Sequence, residues 1–98
     1  RVRLRWSTES ETSCKSFMVE RSVNGKDFAD VLEVPAAGNS SQRLDYLAYD
    51  SEPFAGRSFY RLRQIDFDGN VSYGEMKEVD FGQPALSRHR PFWKYPCR

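Results

Sequence analysis

Asp66, Asp68 and Asn70 place three side-chain oxygens at alternate positions, and a hard cation such as calcium takes oxygen ligands. The pattern stops short of a calcium loop, because Gly69 comes too early and no glutamate stands at the twelfth position. A turn rich in Asp and Asn accounts for the same residues. Glu9, Glu11, Asp50 and Glu52 suggest a carboxylate pair for glycoside hydrolysis, which needs two acids facing each other across a sugar. Nothing in their spacing joins them, and they read as solvated loop acids. The serines lack a nucleophile elbow, and the single histidine, His89, lies near the C-terminal end. Cys14 and Cys97, with one histidine, do not make a zinc set. Two unpaired thiols is the preferred reading of these cysteines, with a disulfide in an oxidising compartment as the alternative. The chain is therefore expected to carry no catalytic residue, no metal and no cofactor.

Charge offers two further candidates. Arg3, Arg5, Arg61 and Arg63 would make a basic face, but Glu20 on a neighbouring strand can sit opposite Arg61 or Arg63. Such cross-strand pairs stabilise a solvated sheet face by ~0.2–1 kcal/mol each. Residues 87 to 98, SRHRPFWKYPCR, mix basic residues with Phe92, Trp93 and Tyr95. That mixture suits single-stranded nucleic acid or a membrane surface, and equally a proline-containing linker with docking aromatics.

The elements that must position these residues are short strands. Val2, Leu4 and Trp6 alternate with Arg3, Arg5 and Ser7, the period of a strand with one buried face. Residues 7 to 15 then read as a loop. Phe17 and Val19 mark a second strand ending near Ser22, Asn24 and Gly25 a hairpin turn, and Phe28 to Val34 the returning strand, stopped at Pro35. Residues 36 to 42 form a connection, and Leu44, Tyr46 and Ala48 share one face of a fourth strand. Asp68 and Gly69 turn a second hairpin, FYRLRQIDFDGNVSYGE, whose first strand points Tyr60 and Leu62 inward. Continuing that alternation buries Gln64 and exposes Ile65, so either Gln64 finds a backbone partner or a bulge shifts the phase. Val71, Tyr73, Met76 and Val79 show a similar phase change near Gly74. About six strands with regular turn signals and no helical period predict an antiparallel β-sandwich, with a Greek-key crossover through residues 35 to 42.

Ninety-eight residues, 39% hydrophobic and 14% aromatic, allow one small core. Residues 1 to 81 hold eleven Lys or Arg against fourteen Asp or Glu, a net −3, whereas residues 82 to 98 hold four basic residues and no acid. The reading is a domain over 1–81 followed by a basic, aromatic tail or linker over 82–98. A slightly acidic body argues against nucleic acid as the main partner. No run is apolar and long enough to predict a transmembrane segment, and no signal-peptide pattern is present. Beginning at Arg1 without Met, the chain is expected to be a processed product or fragment.

The segments LRWSTESE, SFMVERSVNGKDF, LDYLAYD and FYRLRQIDFDGNVSYGE resemble, in order and spacing, the fibronectin type III-like domain of Bacteroidota proteins exported by the type IX secretion system. The resemblance covers roughly residues 2 to 81. It implies an immunoglobulin-like, fibronectin type III-like sandwich with Trp6 and Tyr60 in the core, Tyr60 near the corner where the chain enters its strand. It also implies a secreted or cell-surface, outer membrane-associated location, and a spacer or accessory role beside a C-terminal sorting domain, with no catalytic residues to carry over. Tyr95 and Pro96 resemble the start of that sorting domain, with Cys97 in place of the usual Asn. Such sandwiches open with a strand before the Trp-containing one, and here that first strand is missing. Either a processing boundary removed it, or a partner donates a strand to the open edge.

The expected function is a non-catalytic spacer or protein-interaction module whose partners are neighbouring domains or a protein donating an edge strand. The alternative is a carbohydrate- or surface-binding accessory module of a secreted hydrolase or adhesin. Phe59 and Phe67, outside the inward-facing set, are its candidate aromatic platforms, and Phe92, Trp93 and Tyr95 are further candidates for interaction.

Overall fold

The computed structural model describes residues 2–81 and 92–94 of the chain. Eight strands are seen: β1 (Val2–Thr8), β2 (Glu11–Ser22), β3 (Ala29–Ser40), β4 (Leu44–Asp50), β5 (Gly56–Asp66), β6 (Val71–Tyr73), β7 (Lys77–Phe81) and β8 (Phe92–Lys94). They form two sheets, one ordered β4-β1-β8 and the other β3-β2-β5-β6, with β7 also pairing β5. Every pairing is antiparallel except that of β8 with β1. The chain is thus a small all-β domain with two facing sheets, and the described residues contain no helix.

The inward stripes follow the predicted alternation. Val2, Leu4 and Trp6 from β1 meet Phe17 and Val19 from β2 and Tyr60 and Leu62 from β5 in one core, with Tyr46 packed against it. Trp6 stacks on Tyr46 at 5.6 Å between ring centroids and meets Phe17 edge-on at the same distance. Buried aromatics of this size each remove ~150–250 Å² from water, so these rings dominate the core. Leu44, Tyr46 and Ala48 do share the inner side of β4, facing across from Thr8, Trp6 and Leu4.

Several boundaries differ from the sequence reading. Only residues 9 and 10 separate β1 from β2, because β2 begins at Glu11 instead of after a loop to residue 15. Ser13 makes this possible by adopting φ of 55°, a left-handed conformation uncommon for a residue with a Cβ. The register shifts there, and Glu11 and Cys14 are both buried although an odd spacing separates them. β3 likewise runs through Pro35 to Ser40, where a connection was expected. It is an edge strand, so the missing proline N–H costs no central ladder bond.

Both hairpins lie where predicted, with longer turns. In the second, the Gly69 N–H donates to the Asp66 carbonyl at 3.0 Å and Gly69 takes φ of 89°, a turn followed by one left-handed residue. The strand beyond splits into β6 and β7 at Gly74, whose N–H donates to the Leu62 carbonyl at 2.8 Å. Val71, Tyr73 and Met76 consequently face solvent, and only Val79 reaches the core.

Gln64 and Ile65 follow the alternative without a bulge in β5. The alternation of β5 continues unbroken, Ile65 faces outward half-buried, and Gln64 is buried with its Oε1 lacking a donor. The register shift that sequence reasoning sought in β5 lies on β2, between Cys14 and Ser16.

Candidate functional site

The most organised polar chemistry lies at the two ends of β4. Asp50 continues the inward parity of Leu44, Tyr46 and Ala48, so its carboxylate points into the sandwich and is 3% exposed. Its Oδ2 accepts from the Tyr60 hydroxyl at 2.6 Å and from Arg21 Nη1 at 2.7 Å, and its Oδ1 accepts from the Glu52 N–H at 3.1 Å. Burial alone would raise the Asp50 pKa, but the Tyr60 hydroxyl and the Arg21 guanidinium outweigh it and hold the carboxyl below its ordinary range. Burial and the neighbouring carboxylate push the Tyr60 phenol upward. Arg21 also donates to the Glu52 carbonyl at 2.9 Å and lies 4.0 Å from the centre of the Phe54 ring.

At the start of β4, Tyr46 donates its hydroxyl to Glu11 Oε2, which also accepts from the Thr8 hydroxyl at 2.8 Å. Glu11 Oε1 accepts from the Ala37 N–H at 3.0 Å. Burial, then the Glu11 carboxylate, push the Tyr46 phenol up to about 12. Among the described residues no cation lies within ion-pair distance of Glu11. These two ties join β4, which is hydrogen-bonded to β1, to the opposite sheet.

The four candidate acids therefore do not converge. Glu11 and Asp50 both accept on each of their oxygens, and the four residue steps of β4 from Tyr46 to Asp50 span about 13 Å, beyond a paired-carboxylate site. Asp66 is also occupied: its Oδ1 accepts from the N–H groups of Asp68 at 3.0 Å and Asn70 at 2.9 Å, closing the hairpin turn. Among the described residues no three His, Cys, Asp or Glu side chains gather to hold a metal. The clue that sequence reasoning passed over was parity, since Asp50 falls on the buried face of its strand. Glu11 gave no such signal.

On the outer face of the larger sheet, Glu20 does pair with both arginines, accepting from Arg61 Nε at 2.7 Å and Arg63 Nη1 at 2.8 Å. Arg61 sits between the Phe28 and Tyr73 rings, 4.0 and 4.3 Å from their centres, which helps cover Glu20 to 2% exposure. Two of the four arginines are thus held in place by a buried acid.

The candidate aromatics are dispersed. Phe59 is half-buried near the start of β5, while Phe67 is 66% exposed in the hairpin turn about eight residues and ~26 Å along. Trp93, one of the candidate interaction aromatics of the tail, is 3% exposed within the core, and its Nε1 donates to the Glu75 carbonyl. It lies beside Trp6 in the pairing of β8 with β1, along the edge that was expected to stand open for a donated strand. The Phe92 side chain and Tyr95 lie outside the described residues. Cys14 is disulfide-bonded, against the preferred reading of free thiols, and Cys97 is outside the described residues.

An open cleft of about 400 Å³ lies between the facing edges of β3 and β4, bounded by Val31, Leu32, Tyr49, Ser51 and Glu52. No family model matches the chain, nor does any of the curated proteins or solved structures compared with it.

Proposed function

We propose that this domain is a fibronectin type III-like spacer or protein-interaction module of a secreted or cell-surface bacterial protein, of the kind Bacteroidota export through the type IX system. The observation that carries this reading is the double tie of β4. Tyr46 with Glu11 at one end, and Tyr60 and Arg21 with Asp50 at the other, fasten the two sheets so that they hold their relative position. A unit so fastened can keep neighbouring domains apart while offering edges and loops for contact. The Tyr60 hydroxyl bonded back to Asp50, ten residues upstream, supports the sandwich type that the sequence resembles. The disulfide at Cys14 supports an oxidising, extracytosolic setting.

Thermal unfolding of the chain alone tests this. A single cooperative transition above about 45 °C, unchanged by added upstream sequence, is expected of a self-sufficient spacer. A chain that gains structure only when upstream sequence or a partner is supplied would replace the spacer with an acceptor of a donated strand. Carbohydrate binding is favoured by one observation, the solvent-exposed Phe67 ring beside Asp68 and Asn70. A glycan array positive for the chain and negative for Phe67→Ala would put that reading first.

A further inference from the structure

The edges of the two sheets differ in how they are protected. Exposed strand edges invite another chain, and proteins blunt them with proline, bulges, lysine or brevity. β3 carries Pro35 and an interrupted register. β6 and β8 have three residues each and β7 five. Among the described edge strands β4 is the least interrupted: it is seven residues, LDYLAYD, without proline, glycine or lysine, its charges being Asp45 and the inward Asp50, in unbroken register with β1 from Leu44 to Asp50. On its outer side Leu47 is 52% and Tyr49 37% exposed. Beside it runs the β3–β4 cleft, which leaves space next to the edge.

We infer that β4 pairs antiparallel with β4 of a second copy of this chain, making one six-stranded sheet from the two three-stranded ones. The strand is suited to its own copy. A two-fold axis at Ala48 sets Leu47 opposite Tyr49 of the second copy, and Tyr49 opposite its Leu47, on one face. Arg5 and Arg3 flank that apolar stripe, being the β1 neighbours of Leu47 and Tyr49. In this register Asp45 faces Ser51 of the second copy, so no like charges oppose each other. A strand pairing of this length buries less than a permanent dimer does, so the association is weak and concentration-dependent.

The inference rests on the interaction part of the proposed function, and its test is separate. Sedimentation equilibrium of the full chain up to about 500 µM should show a monomer–dimer equilibrium, with Leu47→Lys raising the dissociation constant at least tenfold without moving the melting temperature. Hydrogen exchange of the unmodified chain should show protection of the amides of residues 44–50 rising with concentration. A chain that stays monomeric overturns the inference, as does a dimer whose added protection falls on β3 or β8. Either outcome leaves the spacer reading, which needs no second copy, where the unfolding test puts it.

Discussion

At the end of β4, Asp50 divides its carboxylate between Tyr60, Arg21 and the backbone of Glu52, whereas at its start Tyr46 reaches Glu11, whose other partners are one hydroxyl and one amide. The arrangements match atom for atom in one respect. In each, one oxygen takes a tyrosine and a second side-chain donor, and the other takes a backbone N–H. They differ in the cation. Asp50 is a charge neutralised by a neighbouring charge, while among the described residues Glu11 is held by dipoles alone. The same cross-sheet task is therefore met at one end by ion pairing and at the other by hydrogen bonding, and the two ends should respond differently to substitution and pH.

The largest expected effect is that of Asp50→Ala, which strands a mostly buried Arg21 and the Tyr60 hydroxyl together and should cost about 3 kcal/mol. Glu11→Ala strands no charge among the described residues and should cost about 2 kcal/mol. Urea unfolding of both variants measures the gap, and equal losses would mean that the cation adds nothing.

Amide replacements sharpen the comparison because they keep the shape. Glu11→Gln can keep its carbonyl on the Ala37 N–H and donate its NH₂ to the Thr8 and Tyr46 hydroxyls, whereas Asp50→Asn turns its NH₂ toward either the Glu52 N–H or Arg21 and also removes an ion pair. About 1 kcal/mol is expected for Glu11→Gln and about 2 kcal/mol for Asp50→Asn. Equal melting temperatures for these two would dissolve the distinction.

The smallest effects appear in pH dependence. Because the native Asp50 carboxyl lies below its unfolded range, it adds stability above about pH 4 that is lost as pH falls through the native value. Asp50→Asn should therefore flatten the acid side of a plot of urea midpoint against pH. The Tyr46 phenol, raised to about 12, adds stability that is full below about pH 10 and lost as pH climbs toward 12. Tyr46→Phe should remove that alkaline decline, and a variant that still shows it would assign the decline to Tyr60, whose phenol is also raised.

Much of the core was legible because it rests on local alternation. Val2, Leu4, Trp6, Phe17, Val19, Tyr60 and Leu62 all face inward as their period requires. What escaped depends on contacts between distant segments. The run from Ser7 to Lys15 looks like a loop by composition, and becomes strand only because Ser13 absorbs a left-handed turn and β3 and β5 supply partners. Pro35 ends a strand by local rules, yet an edge position tolerates it. Glu11 resembles any solvated acid until Thr8, Ala37 and Tyr46 close around it. Trp93 sits in a basic, proline-containing stretch whose composition says nothing of β1, against which it packs.

The pairing of Val2 with Asp50 has a kinetic meaning. Of the described strands β1 leaves the ribosome first, and its two partners follow later, β4 some forty residues on and β8 later still. The earliest native pair that can form is the β2–β3 hairpin. Until β4 arrives, Val2, Leu4 and Trp6 lack both of the described strands that pair with β1, in a topology built mostly from non-local pairings and therefore slow to fold. A newly made domain thus depends on shielding from its surroundings while three of its core residues are already outside.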